Sequence, residues 1–476
     1  MPRSSMSDVR GFGAAGDGQQ DDTEALQHAL LAGDGVLELP RGEYRLTRPL
    51  VVPLATVGRF AIRGSGGTAK LIMAGPGPAI ELVGTHGKTA DPKDFQPAIW
   101  QRERMPTLAD LEIEGAHPEA DGVRISGVMQ ATLTGLLIRA VRTAVHVTGR
   151  ARNLLISHCH IYHNTGIGVH FDRVNLHQAN IVGSHISYCR RGGVRIEESE
   201  IRNLQITGND IEYNNNRAFQ VPGADADPTA EIYIDCRSGS IREGTIASNT
   251  LQATYSPGGA NIRFIGAGPD KNHKVGLFTI SGNLIGSQQN NIHLTAARGV
   301  AITGNVIYSG HSRNLLLEQC RNVAIGSNVF DHNPDYDPNE LCTGIRLVDS
   351  VDCALTGVTI QDCQAGRHTV RDAGPQERLA LVELVRCRRI SLTGCQVFEG
   401  APAGIAIADS SEVLIQGCQV LDGRAEPRMQ HAIRWTGEGA NNLIAHCQLG
   451  GTAAPSEVPK HVRQWDNQVV VTPAGG

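Results

Sequence analysis

A short pattern of apolar and polar positions recurs along most of the chain. Its first and sixth positions are apolar, and its fourth is usually Asn, Cys or a small residue, as in Ile206–Ile211 and Ile302–Ile307. Other copies begin at Leu108, Leu133, Ile156, Ile181, Ile246, Ile280, Ile325, Leu392, Ile415 and Ile444. Many neighbouring copies lie about 22 to 25 residues apart, which is the length of one turn of a three-sided parallel β-helix. The pattern therefore predicts a solenoid whose apolar residues point inward and stack coil on coil.

The Asn residues of this pattern are predicted to be structural. Asn at one fixed corner of each coil satisfies backbone groups of the turn and forms a ladder up the stack. On this basis we assign an architectural role to Asn209, Asn249, Asn283, Asn305 and Asn328. A leucine-rich repeat is disfavoured because the short strands are rich in Ile and Val and no coil has a helical period.

Composition agrees with thin β-coils. The 476 residues include 55 Gly, and aromatic residues make up only 4%, which suits tight corners better than a bulky core. The net charge is -5 and no Lys/Arg block occurs, so we expect no nucleic-acid partner. No apolar run reaches membrane length, and Met1–Arg10 is polar, so neither a membrane span nor a signal peptide is expected.

The 11 Cys residues contain no CxxC pair and fall mostly at apolar coil positions. We therefore predict that they are reduced and buried, as small hydrophobic side chains. This favours a cytoplasmic location, or a periplasmic or secreted one if a leader has been removed.

The N-terminal segment carries a more specific signature. Gly11–Gly18 is followed by Asp21-Asp22-Thr23, by Ala25–Leu30 and by Gly35–Tyr44, which contains Pro-Arg-Gly. This sequence resembles the N-terminal segment of proteins of the pectate lyase-like superfamily, in the branch shared by many phage tailspikes and glycosidases. Physically it predicts a Gly-rich turn, a short amphipathic helix with Asp22 as N-cap, and a strand. Such a helix would cover the open end of the solenoid.

Together these patterns predict an all-β chain, a single-stranded right-handed parallel β-helix of about 12 to 13 coils with a short N-terminal capping helix. Residues 1–50 would form the N-terminal cap, 51–455 the β-helix and 456–476 a C-terminal tail or cap. Longer intervals between copies mark insertions, which in solenoids collect on the binding face. The insertions at Ala218–Pro228 and Gly266–Lys274 are predicted to wall a cleft.

A second strand in each coil presents two outward columns, because inward and outward residues alternate along a strand. The first column reads Arg124, His146, His170, Arg195, Tyr233, Arg263, His293, Leu316 and Arg346. The second reads Ser126, Thr148, Asp172, Glu197, Asp235, Ile265, Thr295 and Glu318. Lys, the usual filler of a solvated strand surface, is absent from both. The columns therefore favour a binding or catalytic stripe over a charged ladder held by mutual pairing.

Three successive carboxylates of the second column, Asp172, Glu197 and Asp235, are the predicted catalytic residues. In-register strands lie about 4.8 Å apart, so neighbouring carboxylates would be at the separation of retaining glycosidases, and those two coils apart near the inverting range. Their repulsion is expected to raise the pKa of at least one of them. The predicted substrate-binding residues are His170, Arg195, Tyr233, Arg263, His293, Glu318 and Arg346. The predicted function is cleavage of glycosidic bonds in an oligo- or polysaccharide, by a glycoside hydrolase that needs no metal or cofactor.

Two alternatives remain open. In pectate lyases carboxylates bind calcium and an Arg or Lys abstracts a proton, so Asp172, Glu197 and Asp235 would hold calcium in a uronate lyase, with Arg195 or Arg263 as base. The other alternative is a non-catalytic adhesion or tailspike-like scaffold. Superfamily members that assemble side by side, together with apolar residues on the stripe, also imply a homotrimer; these residues are Ile265, Leu316 and Val348.

Overall fold

The computed structural model describes residues 7–87, 92–94, 96–216, 229–333, 335, 344–361, 369–370, 374–375, 379–451 and 455–470. The chain folds as a right-handed parallel β-helix, as the repeat predicts: three short strands make up a coil, and the strands of neighbouring coils pair in parallel. It divides into two compact units, Met1–Ala224 with Thr229–Thr245, and Asp225–Pro228 with Ile246–Gly476. We number the three faces of the coils so that the first carries the recurring apolar pattern and the third carries the two outward columns.

The strands of the first unit fall into four groups. The first face contains Ser7–Asp8, Val36–Leu39, Ala61–Gly64, Thr107–Ala109, Thr132–Thr134, Glu200–Thr207 and Ser240–Ala247, the last of which crosses the division. The second contains Asp17–Asp21, Gly42–Leu46, Ala69–Met73, Glu112–Gly115, Leu137–Arg139, His160–Tyr162, His185–Ser187 and Asp210–Glu212. The third contains Leu50–Pro53, Gly77–Val83, Val194–Glu197 and Ala230–Asp235. Three longer strands run along the third face and turn the next corner: Ala120–Met129, Thr143–Ser157 and Ile167–Val182.

The second unit repeats the same arrangement. Its first face contains Val275–Ser281, Arg298–Thr303, Arg321–Gly326, Val351–Thr356, Arg388–Thr393, Ser411–Gln416, Asn442–Ala445 and Val462–Trp465. The second contains Thr250–Gln252, Leu284–Gly286, Val306–Tyr308, Val329–Asp331, Thr359–Gln361, Gln396–Phe398, Gln419–Leu421, Gln448–Gly450 and Gln468–Val470. The third contains Ala260–Ile265, Asn290–Thr295, Arg313–Glu318, Ile345–Val348, Val382–Val385, Ala403–Ala408, His431–Thr436 and Ser456–Glu457. A small antiparallel pair joins Thr369–Val370 to Gly374–Pro375.

Inward residues of successive coils stack directly on one another. In the second unit Ile280 pairs with Ile302 and Ile302 with Ile325, and all three side chains are buried. At the corner that follows, each Asn amide donates to the next Asn carbonyl, from Asn283 Nδ2 to Asn305 Oδ1 and from Asn305 Nδ2 to Asn328 Oδ1, both at 2.9 Å. The structural role predicted for these Asn residues is therefore confirmed.

Helices are short and lie outside the coils. The α-helices are Thr23–Ala32, Leu54–Val57 and Pro97–Arg102, and the 3-10 turns are Val9–Phe12, Ser65–Gly67, Pro92–Asp94 and Pro269–Lys271. The first α-helix packs against Leu50–Pro53 and Val36–Leu39 and buries Leu26, Ala29 and Leu30. No helix in the described part of the chain is long and apolar enough to cross a membrane.

The N-cap position predicted for Asp22 is confirmed, but its side chain makes no capping hydrogen bond. The carboxylate instead accepts hydrogen bonds from the backbone amides of Ala15 and Gly16. The amide of Thr23 is satisfied by the Asp21 side chain, at 3.0 Å. The buried Asp22 thus fastens the Gly-rich turn, and its neighbour completes the helix start.

Cysteine side chains in the described ranges are buried, and none forms a disulfide: they are Cys159, Cys189, Cys236, Cys320, Cys353, Cys387, Cys395, Cys418 and Cys447. Burial raises the pKa of the Cys189 thiol to about 12, which keeps it in the unreactive thiol form. The expectation of buried, reduced cysteines holds for these nine residues, and the cytoplasmic location stays a prediction.

Candidate functional site

The two outward columns form as predicted on the third face of the first unit, and we call this surface the third-face stripe. In the first column the register pairs Arg124 with His146, His146 with His170, His170 with Arg195, and Arg195 with Tyr233. In the second it pairs Ser126 with Thr148, Thr148 with Asp172, Asp172 with Glu197, and Glu197 with Asp235. The three predicted catalytic carboxylates therefore occupy adjacent rungs of one column, about 4.8 Å apart along the stack.

Asp172 lies between a histidine and an arginine. Its Oδ2 is 3.3 Å from Nε2 of His146 and 2.6 Å from Nη2 of Arg173, and only 13% of its side chain is exposed. The His146 ring stacks on that of His170, with centroids 5.5 Å apart. Burial, and secondly the neighbouring His170, lower the pKa of His146 although Asp172 opposes this shift. His146 is therefore expected to be neutral at pH 7 and to share a hydrogen bond with Asp172.

Glu197 is held in the ionised form by its two partners. Burial disfavours its charge, but hydrogen bonds with His170 at 3.2 Å and from Arg195 at 2.7 Å outweigh burial and lower its pKa to about 2. For Glu197 this result is opposite to the expectation that repulsion between neighbouring carboxylates raises the pKa. The difference arises because each carboxylate has its own cationic or hydrogen-bonding partner.

Asp235 is the most enclosed of the three, with 12% of its side chain exposed. Arg237 donates from Nε to both carboxylate oxygens at 3.0 Å, and the Tyr233 hydroxyl donates to Oδ2 at 3.5 Å. The guanidinium of Arg195 lies over the Tyr233 ring, 4.6 Å from its centroid. Burial and the nearby Asp235 raise the pKa of Tyr233, so its hydroxyl stays protonated.

The other predicted substrate-binding residues lie in the second unit. His293 Nε2 is 2.7 Å from Glu318 Oε2, and the Thr295 hydroxyl donates to the same oxygen at 3.1 Å. Arg263 donates to Thr295 Oγ1 at 2.9 Å and to backbone carbonyls. The hydrogen bond with His293 lowers the pKa of Glu318, and burial lowers that of His293. The structure thus brings His293 and Glu318 into direct contact.

Arg346 takes part in a second cluster of this unit. Its Nη1 lies 3.0 Å from Oε2 of Glu383, whose other oxygen is 3.2 Å from Nη2 of Arg313. Glu383 is 1% exposed, so two guanidinium groups compensate a buried charge. The outer groups line a cavity of about 410 Å³, together with the loop residues around them: Gly258, Gln289, Asn290, His293, Ser312, Arg313, Leu316, Glu318, Arg346 and Val348.

Three arginines that complete these clusters were not among the predicted site residues. Arg173 directly follows Asp172, Arg237 lies two residues after Asp235, and Arg313 begins the strand that ends at Glu318. Their closeness in sequence to predicted site residues was the available signal, but it shows only proximity and not the direction of a side chain.

The second face of the first unit carries another polar cluster, which lies outside the predicted site residues. The rings of His160 and His185 stack at 5.1 Å, and His185 Nδ1 lies 3.3 Å from Asp210 Oδ2. Burial and the adjacent Asp210 raise the pKa of Glu212 to about 7. Asp210 and Glu212 lie two residues apart on one strand. This spacing alone predicts that both side chains point to the same outward face.

Two other expectations concern the insertions that were predicted to wall a cleft and the calcium of the lyase alternative. The insertion Ala218–Pro228 lies outside the described residues. Gly266–Lys274 belongs to the second unit, where His273 Nδ1 is 3.0 Å from the carbonyl oxygen of Ala296. Within the part of the chain that the structure describes, no group of three or more His, Cys, Asp or Glu residues is arranged to hold a metal ion.

Chemically, the third-face stripe offers carboxylates next to histidine and arginine side chains. Neighbouring carboxylates about 5 Å apart match the separation at which one acts as a nucleophile and the other as an acid and base in glycoside cleavage. The same groups would serve as hydrogen-bonding partners for sugar hydroxyls.

Comparisons with known proteins agree on the fold. The model of the right-handed β-helix region matches residues 101–231 and 230–420. No curated protein matches the sequence. Among solved structures, the N-terminal fragment of gene product 12 of bacteriophage Phi29 is 12% identical, with 95% of this chain and 72% of that chain covered and a TM-score of 0.52.

Two further structures match with lower TM-scores. Tailspike protein 3 of bacteriophage CBA120 is 12% identical, with 98% of this chain covered and a TM-score of 0.47, and the chain spans 61% of the length of that tailspike. The catalytic unit of a GH87 α-1,3-glucanase from Streptomyces thermodiastaticus is 16% identical, with 100% and 69% covered and a TM-score of 0.34. At these identities the likeness is one of fold.

Proposed function

The chain belongs to the right-handed β-helix family, and from this premise we propose that it is a carbohydrate-active enzyme that cleaves glycosidic bonds of an oligo- or polysaccharide. We propose a glycoside hydrolase in which Asp172, Glu197 and Asp235 are the catalytic residues. The observation that carries the proposal is the placement of three outward carboxylates on adjacent rungs of one column.

The environment of Glu197 supports one of the two catalytic roles. Glu197, with a pKa of about 2, is ionised at any working pH and suits a nucleophile or base. The proton donor would then be Asp172 or Asp235, the rungs on either side, each about 4.8 Å away along the stack. This adjacent spacing favours the retaining outcome over the inverting one.

The flanking side chains support substrate binding along the same surface. His170, Arg195 and Tyr233 hold the carboxylates in place and present polar edges to a bound sugar. In the second unit Arg263, His293, Glu318 and Arg346 are proposed to bind further sugar units, the last three at the cavity of about 410 Å³. A cavity of this volume lies within the range of small-molecule sites.

The experiment is a screen of the purified chain against a polysaccharide panel, with new reducing ends and the absorbance of unsaturated uronate read in parallel. A hydrolase produces reducing ends without that absorbance, and chelator leaves its rate unchanged. If unsaturated uronate forms, and chelator abolishes the activity while calcium restores it, the hydrolase proposal is wrong and the lyase alternative replaces it. If no polysaccharide is cleaved, the enzyme proposal fails.

A scaffold without catalysis is the second candidate, and one observation favours it. Each of the three carboxylates already has a cationic or histidine partner, as in a ladder that serves stability alone. A scaffold would lose stability when a carboxylate is neutralised and would have no turnover to lose. Turnover separates the two candidates, because the carboxylate contacts stabilise the fold in either case and only an enzyme loses turnover when a carboxylate is neutralised.

A further inference from the structure

The cavity of about 410 Å³ in the second unit contains a histidine and a carboxylate in direct contact. Nε2 of His293 lies 2.7 Å from Oε2 of Glu318, which belongs to the next rung of the third face. The Thr295 hydroxyl donates to the same oxygen at 3.1 Å and so helps to hold the carboxylate. The side chains of His293 and Glu318 are 14% and 41% exposed, and both line the cavity. The imidazole is therefore held in one orientation at the cavity wall.

The contact with Glu318 decides which nitrogen of His293 carries the proton. The hydrogen bond with His293 lowers the pKa of Glu318, so its carboxylate is ionised at pH 7 and can only accept. Nε2 then donates, and in the neutral ring Nδ1 keeps its lone pair. Burial, and to a smaller extent Arg263, lower the pKa of His293 although Glu318 opposes this shift, so the ring is neutral at pH 7. In the described ranges Nδ1 has no hydrogen-bond partner and is not an enclosed unpaired atom, so it opens to the cavity as a base.

An apolar patch separates this base from a guanidinium. Leu316 occupies the rung between His293 and Arg346 in the first column. Val348 lies two residues after Arg346 on the same strand, so it points to the same side. Leu316 and Val348 are half-buried and line the cavity. Arg346 gives Nη1 to Glu383 at 3.0 Å, and because a guanidinium has five N–H donors, others are left for a ligand.

A buried amide in the same cavity lacks a partner. Asn290 lines the cavity and is 6% exposed, and its Oδ1 has no hydrogen-bond partner among the described residues. A buried polar oxygen without a partner is rare in a folded protein, and here it points to a ligand group that can donate to it. A hydroxyl is such a group.

A histidine held by a carboxylate differs from the pair of carboxyl groups that cleaves glycosides. Glycoside cleavage needs one carboxylic acid and one carboxylate, on either side of the bond. In this cavity the carboxylate of Glu318 is engaged by His293 and Thr295, and the available base is an imidazole, an arrangement that serves acyl transfer. The apolar patch fits the acyl group of an ester, and a guanidinium stabilises the oxyanion that forms when its carbonyl carbon is attacked.

We propose that this cavity is a second catalytic site, which hydrolyses short-chain acyl esters of polyols, with His293 as general base, Glu318 as its positioning residue and Arg346 as the partner of the oxyanion. Nδ1 of His293 takes a proton from water while the water oxygen bonds to the acyl carbon. The bond from that carbon to the alcohol oxygen then breaks, and the imidazolium returns the proton to the leaving oxygen. The products are a carboxylic acid and a polyol, with water as the only co-reactant. This activity is separate from glycosidic cleavage.

The test is hydrolysis of two butyrate esters by the full chain, glycerol monobutyrate and methyl butyrate, with the released butyrate measured by chromatography. Glycerol monobutyrate is expected to be hydrolysed at a rate that rises with pH and reaches half of its plateau below pH 6.5, because the neutral form of His293 is the base. Methyl butyrate has the same acyl group but no hydroxyl for Asn290, and should react at least about tenfold more slowly.

Equal rates for the two esters, or a preference for methyl butyrate, would overturn the polyol part of the proposal. Hydrolysis of neither would overturn the site. Because no polysaccharide is used, a failure of glycosidic cleavage would not affect this result, and cleavage of a polysaccharide without ester hydrolysis would refute only this second site.

Variants locate the activity. His293→Gln is expected to lower the hydrolysis of glycerol monobutyrate at least about a hundredfold, because the general base is removed. Glu318→Gln should lower the plateau rate and move the pH profile to lower pH, because the carboxylate that raises the pKa of His293 is lost. A purely structural role of Glu318 would leave the profile of the folded variant unmoved.

His185→Gln is the matched control. It removes a histidine from a contact with a carboxylate on the second face of the first unit, where 56% of the His185 side chain is exposed, and the rate should stay within about twofold. An exposed imidazole can also hydrolyse esters slowly, and this variant measures that background. A rate in His293→Gln equal to that of wild type contradicts the proposal. Should His293→Gln not fold, the pH profile of Glu318→Gln decides, and an unchanged profile contradicts it.

Discussion

A single carboxylate, that of Glu197, shows how local partners decide the charge of a residue in the third-face stripe. A row of carboxylates considered alone predicts mutual repulsion and a raised pKa. Because His170 and Arg195 both contact Glu197, its folded-state pKa is instead lowered, from 4.5 to about 2. Glu197 therefore stabilises the fold in its charged form.

Glu197→Gln is accordingly expected to destabilise the protein by about 1 to 2 kcal/mol at pH 7. The folded pKa lies below the unfolded one, so the contribution is fully present above about pH 4.5 and is lost as the pH falls towards 2. Urea unfolding at pH 7 and at pH 2.5 measures this: the difference between wild type and variant should be large at the first pH and small at the second.

The matched control is Glu198→Gln, which makes the same charge change at the next, exposed residue. It should shift the free energy of unfolding by no more than about 0.5 kcal/mol. Equal stability of wild type and Glu197→Gln at pH 7 would show that the contacts with His170 and Arg195 contribute nothing net.

Individual strands were predictable because the repeat fixes register. The inward column of Ile280, Ile302 and Ile325 follows from one position of the pattern, and alternation then places the outward columns. The pairing of side chains across rungs could not be predicted, since periodicity gives the face of a residue and not its rotamer. His146 reaches Asp172 on the next rung, and Arg173 turns back to the same carboxylate, although neither contact is encoded in the pattern.

The element-scale prediction concerns Ile302, whose side chain is fully buried between two neighbouring coils. Ile302→Asp should abolish cooperative folding, because a lone carboxylate would be buried without a partner. Thr303→Asp is the matched control: it is adjacent, outward and exposed, and should fold with nearly unchanged stability. Circular dichroism with thermal unfolding compares the two, and a folded Ile302→Asp would refute the coil register.

For the whole molecule, the repeat and the N-terminal signature predicted the fold class, but not how the predicted site residues divide between the two units. Asp172, Glu197 and Asp235 fall in the first, and Arg263, His293, Glu318 and Arg346 in the second. An insertion carries no repeat pattern, so the sequence could locate the insertion Ala218–Pro228 but could not predict its structure. The predicted cleft walls and the three-part division of the chain therefore stay predictions.

Oligomeric state is the prediction at this scale. The apolar residues first considered for an interface lie on the third face of the second unit and are only half-buried: Ile265, Leu316 and Val348. A clearer apolar column lies on the second face of the second unit, where Leu284, Val306 and Val329 pair in register and are each 42–43% exposed. We expect a homotrimer that buries this column.

Light scattering after size exclusion should give three times the chain mass of 50.9 kDa. Val306→Asp should shift the mass towards that of one chain, whereas Thr303→Asp, on the first face, should leave it unchanged. A mass of one chain at all concentrations of the wild type would exclude the trimer.

The central claim, catalysis by the carboxylate column, is tested most directly by turnover of wild type, Glu197→Gln and Asp235→Asn on a polysaccharide that the wild type cleaves. All are assayed at a temperature where circular dichroism shows each to be folded. We predict that both variants lose at least about a hundredfold in turnover while Glu198→Gln stays within about twofold. Turnover of Glu197→Gln and Asp235→Asn equal to that of wild type would contradict the account.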